Sequence, residues 1–117
     1  MKKMTINDIN RFHQVAEITL AHLGVSKSPI SYDYMMDIFD IILCDEKYTN
    51  LKAIYLQVAF ERGKDWQAVR RSVRRAISTA YIRHKNNGWW SYVFGDINTA
   101  PDDSRFIDTV YRYILSY

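Results

Sequence analysis

Four arginines stand close together in one short segment of this chain, at Arg70, Arg71, Arg74 and Arg75. A guanidinium group presents a planar fork of donors, which matches the two acceptors of guanine in the major groove and also binds phosphate. Residues 62 to 85 include eight basic residues and one acidic residue, a net charge of +7, whereas the rest of the chain carries −4. A charge distribution this uneven is typical of a protein that binds a polyanion, above all nucleic acid.

One helix is predicted to hold these side chains, because the apolar residues between Trp66 and Tyr81 recur every three or four positions. At about 100° per residue, one face carries Val69, Val73, Ala76, Ile77 and Ala80, with Trp66 on its flank. The opposite face carries Gln67, Arg71, Arg74 and Ser78, with Ala68 and Arg75 beside them. Arg70 lies at the border between the two faces.

These positions predict two kinds of contact with DNA. The N-terminal half of a recognition helix meets the base edges, where arginine suits guanine and glutamine suits adenine. We therefore predict that the base-reading residues are Gln67, Arg71, Arg74 and Arg75. Phosphate contacts, which set the register and supply salt-dependent affinity, are predicted for Lys52, Lys64, Arg70, Arg83 and Lys85.

The rest of the sequence predicts an all-α protein with a single compact domain of five to six helices over residues 1–117. A hydrophobic content of 48% is ample for a core, and four glycines and two prolines favour long helices. Thr5, Asn50 and Asp65 are predicted N-caps, Ser31 begins the second helix, and the last helix follows residues 100–104. A third helix, a break at Gly63 and a longer fourth helix predict a helix-turn-helix over about 51–85.

The sequence lacks the residue patterns that catalysis, cofactor binding and metal binding require. It has no nucleophile–base pair, no glycine loop for phosphate and no metal-ligand spacing, so we predict no enzyme activity, no cofactor and no metal. Cys44, on the apolar second helix, is predicted to be a buried thiol. The longest apolar stretch, residues 41–44, is too short to span a bilayer, and one cysteine suits a reducing compartment. We therefore expect a cytoplasmic protein with no membrane partner.

Other interpretations of the arginines stay open. They could simply solvate the outer face of a surface helix, although no glutamates alternate with them to form (i, i+4) pairs. The protein could also be a non-enzymatic interaction adaptor that uses the arginine-rich face on an acidic partner. A helix lying on a membrane surface is disfavoured, because the apolar side of residues 66–81 is that of a core helix.

Several short motifs, taken together, resemble one known family. In chain order they are His22-Leu23-Gly24-Val25, Tyr32 and Tyr34, Val69-x-Arg71-x-x-Arg74-x-Ala76-Ile77, Tyr81, Phe94-Gly95 and Pro101-x-x-Ser104-x-Phe106-Ile107. In order and spacing they resemble the C-terminal effector domain of stage zero sporulation protein A, a bacterial sporulation response regulator. The resemblance extends from about Ile18 to Leu115.

The resemblance implies a six-helix domain whose helix-turn-helix reads promoter elements in double-stranded DNA. Arg71 and Arg74 match arginines of the family's recognition helix, whereas Ala68, Arg70 and Arg75 replace residues of other types, so the family's DNA target does not carry over. The family domain normally follows a receiver domain, which this sequence lacks, so we expect a stand-alone regulator without phosphorylation-controlled dimerisation. A homodimer on DNA and contacts with RNA polymerase or a regulatory protein stay open.

Overall fold

The computed structural model describes residues 4–45 and 50–117, and these ranges contain six helices and no strand. The helices are α1 (Ile6–Leu23), α2 (Ile30–Cys44), α3 (Leu51–Arg62), α4 (Trp66–His84), α5 (Trp89–Phe94) and α6 (Asp103–Leu115). Side chains from all six helices meet in one hydrophobic core. The predicted all-α, single-domain fold is therefore confirmed. No helix within the described ranges is both long and apolar enough to cross a membrane.

Local signals in the sequence define most helix ends. Thr5 and Asp8 form a reciprocal capping box at the start of α1, and the side chains of Asn50 and Asp65 accept backbone N–H groups at the starts of α3 and α4. These three predicted caps are confirmed. The second helix begins at Ile30, one residue before the predicted Ser31, since the preceding Pro29 already has an extended conformation that leads into the helix.

Tryptophan and histidine side chains hold α5 against the end of α1. The indole of Trp90 is buried, and its N–H donates a hydrogen bond of 3.0 Å to the carbonyl oxygen of Leu23. The neighbouring Trp89 stacks on the ring of His22, with 4.2 Å between ring centroids. The contacts fix the short fifth helix beside the loop that follows α1.

The predicted burial of Cys44 is wrong, because its side chain is exposed. Cys44 is the last residue of α2, where the helix leaves the core, and the adjacent Leu43 occupies the buried position instead. A residue one position along a helix is rotated by about 100°, so the two neighbours face different surroundings.

Candidate nucleic-acid interface

Helices α3 and α4 are joined by a turn of three residues and pack against each other and against α2. Gly63 ends α3 in the left-handed conformation, with φ of 63°, which glycine adopts without steric cost. Two residues later, the Asp65 carboxylate accepts the backbone N–H of Ala68 and caps α4. The chain can therefore reverse sharply and present the full length of α4 on the surface.

The two faces of α4 separate as the sequence predicts. Val69, Val73, Ile77, Ala80 and Tyr81 are buried in the core. Gln67, Arg71, Arg74 and Arg75, the predicted base-reading residues, are all exposed to solvent on the outer side. The structure thus brings these four side chains together on one accessible surface, which we call the α4 outer face.

The charges of the α4 outer face are not neutralised within the protein. Neither Arg71, Arg74 nor Arg75 forms an ion pair with any residue in the ranges 4–45 and 50–117. The predicted phosphate-binding residues Lys64 and Arg83 are exposed and likewise lack an acidic partner within those ranges. Because like charges at this spacing repel one another, an external anion is the natural source of compensation.

Lysines extend this basic surface beyond both ends of the α4 outer face. Lys52, at the start of α3, places its ammonium 5.1 Å from the ring centroid of Trp66, the first residue of α4. At the other end, the Lys85 ammonium lies 5.9 Å from the ring centroid of Tyr81. Cation–π contacts of this kind leave the ammonium accessible to an anion while limiting the motion of a flexible side chain.

Arg70 differs from the other arginines because it faces an acid of its own protein. Its Nε lies 3.6 Å from an Oδ of Asp103, the first residue of α6, whose side chain is largely buried. The hydroxyl of Tyr55 donates a 2.9 Å hydrogen bond to the same carboxylate. Burial, followed by the charge of Asp103, raises the pKa of Tyr55 well above its ordinary value, so the tyrosine remains a donor.

Sequence reasoning missed Asp103 as a partner of Arg70. The signal was weak: two consecutive acids open the last helix, and one of them, Asp102, is needed as its cap. The remaining acid, Asp103, accepts the backbone N–H of Ser104 at 3.0 Å, and nothing in the sequence indicated which distant side chain it would also meet. The predicted position of Arg70 at the border of the two faces is confirmed, since it is half-buried.

A groove lies between α4 and the loop that joins α1 to α2, with a volume of about 450 Å³. It is lined on the α4 side by Arg71, Arg75 and Arg83, and on the other side by Ser26 of the loop and Ser31 at the start of α2. Neither serine belonged to the predicted site. A single serine near a helix start has many structural explanations, so its position beside three arginines became visible once the fold was known.

Comparison with known families identifies the family to which the chain belongs. The family profile described as "Sporulation initiation factor Spo0A C terminal" matches residues 15–114, which is most of the chain. This protein belongs to the Spo0A C-terminal family. The resemblance inferred from the motifs is thereby confirmed, and so is a DNA-binding regulator in general, since this is a family of DNA-binding domains rather than enzymes. No curated protein and no solved structure matches the chain.

The sequence resemblance predicts that three positions on α4 depart from the family pattern. Two of them, Arg75 and Ala68, are exposed beside Arg71. Arg70, the third departure, is the arginine that faces Asp103. All three predicted departures therefore lie on the exposed side of α4 or at its edge, while the buried side of the helix is apolar.

Proposed function

We propose that this protein is a sequence-specific, double-stranded DNA-binding transcriptional regulator, in which residues 51–85 act as a helix-turn-helix and α4 lies in the major groove. One observation carries the proposal: the α4 outer face presents four side chains suited to base edges, and its arginines have no acidic partner among the described residues. The opposite face is occupied by the core. The outer face is therefore free to meet a ligand.

Each side chain of this surface has a role that follows from its chemistry. Arg71, Arg74 and Arg75 would each donate two hydrogen bonds to O6 and N7 of guanine, and Gln67 would pair with N6 and N7 of adenine. The phosphate contacts would come from Lys52, Lys64, Arg83 and Lys85, placed around that surface. Arg70 would add to them with the part of its guanidinium that Asp103 leaves free.

The decisive experiment begins with selection of a preferred site from random duplexes. Fluorescence anisotropy then compares the selected duplex with a scrambled one. We expect Arg71→Ala or Arg74→Ala to cost about 1–3 kcal/mol on the selected site and much less on the scrambled one, because a base contact is lost. Lys85→Ala should weaken both duplexes alike, since phosphate contacts carry no sequence information.

Arg105→Ala is the matched control, because Arg105 is an exposed arginine on α6, outside the basic segment. It should bind both duplexes as the unchanged protein does. Equal losses on both duplexes for Arg71→Ala would contradict base reading and leave α4 a non-specific clamp. If the unchanged protein binds no duplex at low salt, the adaptor that grips an acidic protein replaces this proposal.

The selected sequence also tests whether two copies bind together. A motif repeated at a separation of about one helical turn, roughly 10 base pairs, would indicate a dimer on DNA with paired recognition helices. A single unrepeated motif would indicate that one copy is sufficient.

A further inference from the structure

The groove beside α4 has the composition of an anion-binding site. One wall consists of Arg71 and Arg75, one turn apart, and of Arg83, about two turns further along the helix. Between them, α4 contributes small side chains, Ala68, Ser72, Ala76, Thr79 and Ala80. Small residues leave room for a group of a few atoms to enter between the arginines and the facing loop.

The start of α2, which faces α4 across the groove, contributes a hydroxyl group that no other described residue uses. Ser31 is 5% exposed and lines the groove, and its side chain makes no hydrogen bond to any residue in the ranges 4–45 and 50–117. A serine hydroxyl that opens into a groove and makes no hydrogen bond within the protein is available to donate one to an anion there. A ligand in the groove would supply the missing acceptor.

Backbone donors lie next to this hydroxyl at the start of α2. The residue before the helix is Pro29, which offers no side-chain cap, so the N–H groups of Ile30 and Ser31 lack an acceptor within the described residues. Such N–H groups, together with the positive end of the helix dipole, attract anions. Lys27 belongs to the same loop, but its ammonium is paired with Glu17 and is not needed for this site.

Building on the proposed function, we propose that this groove binds one backbone phosphate of the DNA duplex, with the Ser31 hydroxyl as a neutral donor and Arg83 as its counter-ion. A helix in the major groove has the sugar–phosphate backbones on both sides, so a pocket alongside α4 meets one of them. This contact fixes the position of α4 along the major groove of the DNA. The reason is that the start of α2, which carries Ser31, sets where the phosphate lies relative to α4.

The test combines Ser31→Ala with chemically neutral phosphates. Ser31→Ala should lower the affinity for selected and scrambled duplexes equally, by about tenfold or more, because a hydrogen bond to a charged group is lost. Ser28→Ala is the matched control, since Ser28 is an exposed serine in the loop just before α2 and lies outside the groove. It should bind as the unchanged protein does.

Duplexes with a methylphosphonate at one position at a time locate the contact. At one position the neutral group should lower the affinity of the unchanged protein for the duplex. The same change should lower the affinity of Ser31→Ala several-fold less. Arg83 is exposed, so Arg83→Gln leaves the core intact. It should make the negative slope of log K against log salt shallower by about 0.9.

Three outcomes would overturn this inference while leaving the proposed function intact. One is unchanged duplex binding by Ser31→Ala. Another is that, at each position, the methylphosphonate lowers the affinity of the unchanged protein and of Ser31→Ala by the same factor. The third is that titration with inorganic phosphate saturates the unchanged protein but not Ser31→Ala, while both bind duplex equally, which would assign the groove to a free anion. If the unchanged protein binds no duplex at all, the proposed function fails first and this inference fails with it.

Discussion

At the scale of single residues, the arginines of α4 fall into two classes that the sequence alone does not separate. Arg71, Arg74 and Arg75 extend from the outer face without an acidic partner in the described parts of the chain, whereas Arg70 faces the buried carboxylate of Asp103. Arg71, Arg74 and Arg75 can bind a ligand without breaking an ion pair within the described parts of the protein. Arg70 would have to interact with both Asp103 and the external anion.

Asp103 offers the sharpest residue-scale prediction. Asp103→Ala should lower the free energy of unfolding by about 1–3 kcal/mol, because it leaves the buried Tyr55 hydroxyl without its acceptor. Chemical denaturation monitored by circular dichroism measures the loss. In a Tyr55→Phe background the same substitution should cost clearly less, since no donor is then left unsatisfied.

Asp108→Ala is the matched control for that measurement. Asp108 forms an exposed (i, i+4) pair with Arg112 on the same helix, and such pairs contribute at most about 0.5 kcal/mol. If both aspartate substitutions cost the same, the buried cluster has no special role in stability.

At the scale of elements, the start of α4 couples folding to charge. Asp65 is the single acid between residues 62 and 85, and it caps the helix through the backbone N–H of Ala68. Its carboxylate therefore stabilises the helix and weakens the positive field that attracts DNA. The two effects can be separated, because asparagine caps a helix as well as aspartate does but carries no charge.

We predict different outcomes for two substitutions of Asp65. Asp65→Asn should change the free energy of unfolding by less than about 0.5 kcal/mol and raise the affinity for scrambled duplex at low salt by about two- to fivefold. Asp65→Ala should cost about 1 kcal/mol of stability because the cap is lost. Thermal melts and anisotropy measure the two quantities. A loss of stability in Asp65→Asn as large as in Asp65→Ala would show that charge, not capping, is what matters here.

A second element-scale prediction concerns the contact between the end of α1 and the end of α4. Gly24 has φ of 96°, and a Cβ built there would overlap the ring of His84. Gly63 also has positive φ, but a Cβ there would meet nothing. Gly63→Ala should therefore cost about 1–2 kcal/mol from backbone strain alone, and Gly24→Ala should cost more.

The extra cost at Gly24 should disappear when the overlapping ring is removed. In a His84→Ala background, Gly24→Ala and Gly63→Ala should destabilise the protein by similar amounts in denaturant titrations. A persistent difference would place the additional cost in the backbone of the α1–α2 loop rather than in its contact with His84.

At the scale of the whole molecule, charge is segregated: residues 62 to 85 carry +7 and the remainder −4. Four phosphate contacts are proposed from residues without an acidic partner in the described ranges, at Lys52, Lys64, Arg83 and Lys85. Each neutralised phosphate contributes about −0.9 to the slope of log K against log salt, so we expect a slope of roughly −4 on duplex DNA. Anisotropy titrations over a series of sodium chloride concentrations measure it. A slope near zero would contradict an interface built on phosphate contacts.

The parts of this molecule that the sequence predicted are those determined by neighbours in the chain. Helix ends follow from caps such as Thr5 and Asp65 and from the stop at Gly63, and the faces of α4 follow from its periodicity. Contacts between distant segments could not be predicted in this way. The meeting of Arg70 with Asp103 and the position of Ser31 beside the α4 arginines depend on how helices pack, and periodicity contains no information about that.

The pairing of Arg70 with Asp103 has a consequence for protein engineering. Transplanting the whole of α4 onto a related scaffold would reproduce its exposed surface, yet Arg70 would arrive without its acid unless the recipient also had a carboxylate at the position of Asp103. The graft would then present an additional unpaired arginine at the edge of the recognition surface. If α4 reads DNA as proposed, moving the helix alone would not transfer its DNA preference, and the exchange must include the first residue of α6.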